Sequence, residues 1–201
     1  MTWIHDNERV RIAKLAVGPY DNNAYVVACA RTGRAAIVDA AAEADRILAT
    51  VEGLHVQCIL TTHGHMDHIQ ALDQVKEELG VPWYLHRADT GIAGRSPDEP
   101  LEHDDELVVG EIALHAVHTP GHTPGSVSFV LEPVLFSGDT LFPGGPGATR
   151  WEYSSFGQIM DSIETRLMAL PDPTLVLPGH GASTTIGVER PELETWRDRG
   201  W

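Results

Sequence analysis

Apolar positions along the chain follow two spacings, which predict strands and helices. Apolar runs bounded by Gly, Pro, Asn or Asp predict strands, and apolar residues three or four apart predict helices. The predicted strands are 9–17, 24–30, 35–39, 56–60, 81–85, 107–109, 112–117, 127–131, 134–136 and 174–177. The predicted helices are 42–52, 67–79, 156–170 and 189–196, while residues 87–105 are ambiguous.

The order of these elements predicts a mixed α/β fold with layered sheets, since helices lie between strands without strict alternation. A chain of 201 residues, 42% hydrophobic and 21% charged, fits one domain over residues 1–201 with a sizeable core. No apolar run reaches the length of a membrane span. The first residues lack a basic region followed by an apolar one, so we expect no signal peptide and a cytoplasmic location.

The net charge bears on the class of partner, and the cysteines bear on the redox compartment. The formal net charge of −15 argues against nucleic acid and against anionic membrane surfaces, because both need a basic face. Cys29 and Cys58 both lie in apolar segments, and the sequence has no Cys-x-x-Cys pair. We expect both to be small buried residues in a reducing compartment.

Side chains that bind metals are concentrated where predicted strands end. Strand 56–60 leads into the segment Thr61–His68, which carries His63, His65, Asp67 and His68. Three later strands lead to His122, Asp139 and His180. Loops at strand ends can gather at one edge of a sheet, so we expect these side chains to meet there.

The composition of this set indicates the kind of ion. Imidazole and carboxylate ligands suit Zn²⁺ and also iron or manganese. Seven ligands are too many for one tetrahedral ion. They suffice for two divalent ions if one carboxylate bridges them and each ion keeps an open position for water.

Four motifs resemble those of the metallo-β-lactamase superfamily. The segment Thr62–His68 resembles its His-x-His-x-Asp-His signature. The later segments Thr119–Gly125, Ser137–Asp139 and Pro178–Gly181 match its later motifs in order and approximate spacing. The resemblance covers nearly the whole chain, and the most similar branch is the short, single-domain glyoxalase II-like hydrolases.

The resemblance implies a four-layer αββα sandwich with a dinuclear site at one edge of the sheets. It assigns His63, His65 and His122 to one metal ion, and Asp67, His68 and His180 to the other. Asp139 would bridge the ions, of which zinc is the first expectation and iron or manganese the others. A bridging hydroxide would then attack a small-molecule thioester such as S-lactoylglutathione, and Asp67 would orient it.

Several alternatives remain open from the sequence. Persulfide dioxygenases share these motifs but use one iron, on residues equivalent to His63, His122 and Asp139. A lactone or β-lactam hydrolase would use the same hydroxide, and a non-catalytic binding protein could share the fold.

Other polar residues are not assigned to the metal site. About twenty residues follow His180 in the sequence, so we expect the helical C-terminal extension that contacts glutathione in full-length glyoxalase II to be missing, and no substrate-binding residue is assigned. The candidates for that role are Arg150, Tyr153, Arg190 and Arg197. We expect surface or half-buried imidazoles at the remaining histidines, which are His5, His55, His86, His103, His115 and His118. His118 lies four residues before His122 and could support that ligand.

Overall fold

The first seven strands form one sheet in chain order in the computed structural model, which describes residues 2–200. Strands β1 to β4 pair antiparallel, and β4 to β7 pair parallel. The strands are β1 Trp3–Asp6, β2 Val10–Val17, β3 Asn22–Cys29, β4 Arg34–Val38, β5 His55–Leu60, β6 Trp83–His86 and β7 Glu99–Leu101. The parallel half delivers the ends of β4, β5 and β6 to one edge.

Six later strands form the second sheet, in the order β15-β14-β11-β10-β9-β8. They are β8 Glu106–Val109, β9 Ile112–His118, β10 Val127–Leu131, β11 Val134–Gly138, β14 Leu175–Pro178 and β15 Thr184–Thr185. Strands β11 and β14 are parallel neighbours, so Asp139 and His180 leave the sheet at the same end. A small hairpin, β12 Leu141–Phe142 with β13 Gly145–Pro146, follows β11.

Short helices cover the outer faces of both sheets. They are α1 Ala44–Thr50, α2 Met66–Ile69, α3 Leu72–Leu79, α4 Thr90–Ala93, α5 Phe156–Ser162, α6 Ile186–Glu189 and α7 Leu193–Arg199. Helix α5 continues as a π-helical turn at Ile163–Leu167, and 3₁₀ turns form at Arg87–Asp89 and Arg190–Glu192. No helix of residues 2–200 is both long and apolar enough to cross a membrane.

Alternate residues of each strand face different apolar layers, which is why the fold has four layers. Val27 of β3 points into the cluster between the sheets, while Val26 points towards α1 and α3. In the second sheet, Phe129 of β10 faces the first sheet and Val130 faces α5 and α7. The predicted αββα sandwich is therefore confirmed, and Cys29 and Cys58 are buried free thiols, as expected.

The predicted helix 67–79 is wrong, because the structure divides it into α2 and α3. The backbone amides of Gln70 and Ala71 donate to the carbonyls of Ala41 and Ala40, at 3.1 and 3.0 Å. Those bonds replace helical ones and leave α2 as a single turn. That turn carries both Asp67 and the buried His68.

Other boundaries also differ from the prediction. The predicted helix 189–196 is interrupted by a 3₁₀ turn containing Pro191, a residue that cannot donate the helical hydrogen bond. The predicted helix 156–170 ends its α-helical part at Ser162 and widens into the π turn. Strand β1 was not predicted, and the ambiguous residues 87–105 contain a 3₁₀ turn, α4 and β7.

Candidate metal centre

All seven predicted side chains converge at one edge of the two sheets. The chain reaches this edge from β5, β9, β11 and β14, whose following loops carry the seven residues. Hydrogen bonds hold the sheets together here: the Tyr25 hydroxyl donates to the Pro178 carbonyl at 2.7 Å, and the Asn23 amide donates to the Gly179 carbonyl at 2.7 Å. They place His180, which follows Gly179, against the end of β3.

The first group consists of three imidazoles whose inward nitrogens nearly touch. Nδ1 of His65 lies 3.0 Å from Nε2 of His63 and 3.0 Å from Nε2 of His122. Ligand nitrogens of a tetrahedral zinc ion stand about 3.3 Å apart, given bonds of about 2.0 Å. The three nitrogens could therefore hold one ion with little movement.

The second group contains one carboxylate and two imidazoles. Nε2 of His68 lies 3.2 Å from Nε2 of His180, which in turn lies 3.4 Å from Oδ2 of Asp67. Oδ2 of Asp67 also accepts a hydrogen bond from the Asn22 side-chain amide at 3.0 Å. This group could hold a second ion.

Asp139 lies between the two groups. Its Oδ2 is 3.5 Å from Nε2 of His122 and 3.5 Å from Nε2 of His180, one residue from each group. Its Oδ1 is buried and has no hydrogen-bond partner within residues 2–200. Nε2 of His68 lies 3.5 Å from this oxygen. Because a buried carboxylate oxygen without a hydrogen bond is costly, this atom fits a position beside a cation.

A hydrogen-bond chain through the buried Asp39 orients two of the imidazoles. Nδ1 of His68 lies 2.9 Å from Oδ2 of Asp39. The Thr62 hydroxyl donates to the same oxygen at 2.8 Å and lies 3.1 Å from Nδ1 of His63. Both rings thus carry their proton on the outer nitrogen, which leaves the Nε2 lone pairs facing inward.

Two of the other three imidazoles are oriented in the same sense, and the third is reversed. His122 and His180 donate from Nδ1 to the carbonyls of Ala148 and Tyr20, at 2.7 and 2.8 Å. His65 is turned the other way round, with Nε2 lying 2.8 Å from the Tyr153 hydroxyl. Five imidazole lone pairs and two carboxylates therefore face one small volume, and this donor set fits two cations.

The pKa values differ between the two groups. Burial and the neighbouring histidines lower the pKa of His63, and they lower that of His65 to about 4. In the second group burial is outweighed by carboxylates: Asp139 and Asp39 raise the pKa of His68, and Asp139 and Asp67 raise that of His180 to about 11. The second group therefore favours a positive charge, whether from protons or from a metal ion.

Asp89 was not predicted from the sequence to belong to the site, although it connects the two loops that carry His63 and His122. Its buried carboxylate accepts from the amides of Gly64 and Gly125, at 2.7 and 2.6 Å, and from the Thr123 hydroxyl at 2.7 Å. Gly64 sits between two ligands and Thr123 follows His122, so Asp89 fixes both loops. The one available signal was its position after the end of strand β6.

Asp39 was assigned to a predicted strand, and its role was also missed. It comes directly after β4, the neighbour of the strand that leads to His63. The rule that polar residues at strand ends gather at one edge applies to it as well. Its left-handed backbone, with φ of 60°, turns the carboxylate towards Thr62 and His68.

The candidate substrate contacts divide into two pairs. Arg150 lines the cleft above the centre, and Tyr153 contacts His65. Arg190 instead donates to the carbonyls of Met168 and Leu170, and Arg197 pairs with Glu164, so both serve the packing of the C-terminal helices. His118 donates to the Pro124 carbonyl, and so supports the loop rather than the His122 ring.

An open cleft of about 710 Å³ leads to the centre. Its floor includes His65, Asp67, His122, Asp139 and His180. The side chains above the floor are largely apolar: Pro19, Tyr20, Met66, Phe142, Ala148 and Trp151. A small molecule could therefore reach the inward lone pairs from solvent.

Relatives and solved structures resemble the chain along most of its length. The probable metallo-hydrolase YqgX of Bacillus subtilis is 36% identical, covering 88% of this chain and 93% of that protein. Hydroxyacylglutathione hydrolase GloC of Haemophilus influenzae is 33% identical, covering 78% and 84%.

Three crystal structures with the same architecture are similar in sequence as well. The B3 metallo-beta-lactamase BLEG-1 has a TM-score of 0.81 at 34% identity, covering 90% of this chain and 96% of its own. ETHE1 from Myxococcus xanthus scores 0.80 at 30%, covering 89% and 81%, and the di-iron-bound form of TTHA1623 scores 0.77 at 32%, covering 89% and 96%. The metallo-beta-lactamase superfamily model matches residues 17–180, the span that contains every side chain of the centre, and the chain belongs to this superfamily of divalent-metal proteins.

Proposed function

We propose that the protein is a thioester hydrolase of the glyoxalase II type, with two divalent metal ions held by the seven side chains. His63, His65 and His122 would hold one ion, Asp67, His68 and His180 would hold the other, and Asp139 would contact both. Ions bound there lower the pKa of water towards ~7 and so supply a nucleophile at neutral pH. Zinc is our first expectation, with iron or manganese as the alternatives.

The observation that carries this proposal is that each candidate ligand of the second group, like each of the first, has a hydrogen-bond partner that orients it. His68 and His180 each have an outer hydrogen-bond acceptor, and Asp67 has a donor in Asn22. A mononuclear iron enzyme using His63, His122 and Asp139 would not need these contacts. The similarity to the enzyme named hydroxyacylglutathione hydrolase in Haemophilus influenzae supports the same reading.

The residues of the chain have defined tasks in this reaction. Water releases a proton to solvent, its oxygen bonds to the thioester carbonyl carbon, the carbon–sulfur bond breaks, and sulfur leaves with the electron pair as a thiolate. Thiols ionise near neutral pH, so no separate general acid is required. Asp67 stays ionised, because His180 and His68 outweigh burial and lower its pKa, and it can orient the attacking water by accepting a hydrogen bond.

Hydrolysis assays on metal-loaded protein test the proposal. We expect S-lactoylglutathione to be hydrolysed, with activity lost after chelation and restored by adding a divalent ion. Asp67→Asn should slow turnover; full turnover with both ions retained would refute its orienting role. If a lactone or a β-lactam is hydrolysed while thioesters are not, the proposed substrate class is wrong.

A further inference from the structure

Arg150 is an unpaired guanidinium at the mouth of the cleft. Its side chain is exposed and forms neither an ion pair nor a hydrogen bond within residues 2–200. Arg11, Arg46 and Arg197, by contrast, each pair with a carboxylate. In a chain with a net charge of −15, an arginine left without an acidic partner beside the reactive centre is available to a ligand.

The position of this guanidinium is set by a stack that rests on the metal centre. Cζ of Arg150 lies 4.9 Å from the Trp151 ring, whose centroid is 4.6 Å from that of His65 and 5.2 Å from that of His122. Tyr153 lies parallel to Trp151 and contacts Nε2 of His65 through its hydroxyl. The segment 150–153 is thus held in place by the contacts of Trp151 with His65 and His122 and by the contact of Tyr153 with His65.

Within residues 2–200, the side chains that line the cleft include a single lysine or arginine, Arg150. The cleft lining also includes exposed apolar side chains, with Tyr20 and Met66 leaving 69% and 62% of their surface to solvent. A guanidinium bordered by apolar surface binds a carboxylate or phosphate more strongly than one in open water, and its planar fork matches either group.

We propose that Arg150 and Trp151 select anionic thioesters: Arg150 binds an acidic group of the substrate, and Trp151 packs against the chain joining that group to the carbonyl. This inference rests on the proposed thioesterase function. The acidic group could lie on the thiol part or on the acyl part of the substrate. The experiment separates these two sources.

Three thioesters and three variants test the selection. S-lactoylglutathione carries its charge on the thiol part, succinyl-N-acetylcysteamine carries it on the acyl part, and lactoyl-N-acetylcysteamine has neither. For Arg150→Ala we expect KM to rise about tenfold for a charged substrate, with kcat nearly unchanged and no effect on the neutral one. Arg150→Lys should recover part of the loss. Arg34→Ala, at the opposite end of the first sheet, is the charge-matched control and should behave as wild type.

The pattern of effects identifies the source of the charge or refutes the site. An effect on S-lactoylglutathione alone places the acidic group on the thiol, and an effect on the succinyl thioester alone places it on the acyl part. An effect on both shows that the site accepts either. Equal KM values for wild type and Arg150→Ala on both charged substrates would overturn the inference.

A binding measurement keeps this test independent of turnover. S-methylglutathione, a thioether that cannot be hydrolysed, and its diethyl ester are titrated calorimetrically into the metal-loaded protein. We expect the free acid to bind more tightly to wild type, and this preference to vanish in Arg150→Ala. If no thioester is hydrolysed but the preference is present, the proposed function fails while the anion site stands. If no preference for an acid is found by either method, the site is refuted.

Discussion

Nδ1 of His68 lies 2.9 Å from Oδ2 of Asp39, in a buried contact that supports both halves of the metal centre. The same oxygen accepts from the Thr62 hydroxyl, which in turn accepts from Nδ1 of His63. Asp39, which is not one of the proposed ligands, thereby fixes the ring orientation of His63 in one group and of His68 in the other.

Asp39→Asn should weaken metal binding while preserving the backbone, because Asn also tolerates the left-handed conformation. The new amide would present a donor where Thr62 and His68 already donate. We expect affinity to fall about 10–100-fold, as is usual when the outer partner of a ligand histidine is lost. Competition with a chromophoric chelator measures this. Asp161→Asn, on the exposed face of α5, is the control, and equal affinities for the two variants would contradict the account.

Gly179→Ala should disrupt the centre through a single methyl group. A Cβ at this position would lie 2.2 Å from Oδ1 of Asp139 and 2.6 Å from Cε1 of His68, both shorter than any tolerated contact. We expect Asp139 to be displaced and bound metal to fall below two ions per chain by elemental analysis. Gly91→Ala adds the same methyl group in open space, so it should keep the wild-type metal content.

Asp89→Ala should destabilise the fold even without metal. It leaves the amides of Gly64 and Gly125 and the hydroxyl of Thr123 buried without their acceptor. Each such loss costs about 1–3 kcal/mol, so we expect the free energy of unfolding to fall by about 3–5 kcal/mol. Urea denaturation of chelated protein measures this, with Asp161→Ala as control. A change below about 1 kcal/mol would show that the two loops hold their positions without Asp89.

His86 should make the fold less stable in mild acid. Burial and the stacked ring of His118, 4.2 Å away between centroids, lower the pKa of His86 below its unfolded value of about 6.5. The unfolded chain then binds more protons, so this contribution to stability is present above that value and declines as the pH falls through it.

The measurement for His86 compares variants of the chelated protein. Between pH 7 and pH 5, His86→Gln should lose less unfolding free energy than wild type. His103→Gln, at an exposed turn, should follow wild type. Parallel curves for wild type and His86→Gln would contradict the assignment.

The candidate ligands were predictable because of where they stand in the chain. His63, His122, Asp139 and His180 each follow a strand, and strand ends meet at one edge whatever the loops do between them. The αββα layers followed from the resemblance rather than from periodicity. Strand order depends on pairings between distant segments, which a local pattern does not encode.

The supporting residues were harder to predict because tertiary contacts determine their roles. The break between α2 and α3 depends on the carbonyls of Ala40 and Ala41, which helical spacing over 67–79 does not reveal. Asp89 lies in a segment with no apolar period. Nothing in the sequence around Arg190 distinguishes it from a surface arginine, yet its guanidinium donates hydrogen bonds to two backbone carbonyls.

Metal stoichiometry measured together with the reaction products tests the central claim most directly. Protein purified without chelator is analysed for bound metals, and oxygen uptake and thiol release are followed on a glutathione thioester and a glutathione persulfide. The account predicts two divalent ions per chain, thiol release from the thioester and no oxygen uptake. One iron per chain, with oxygen consumed on the persulfide and the thioester left intact, would contradict it.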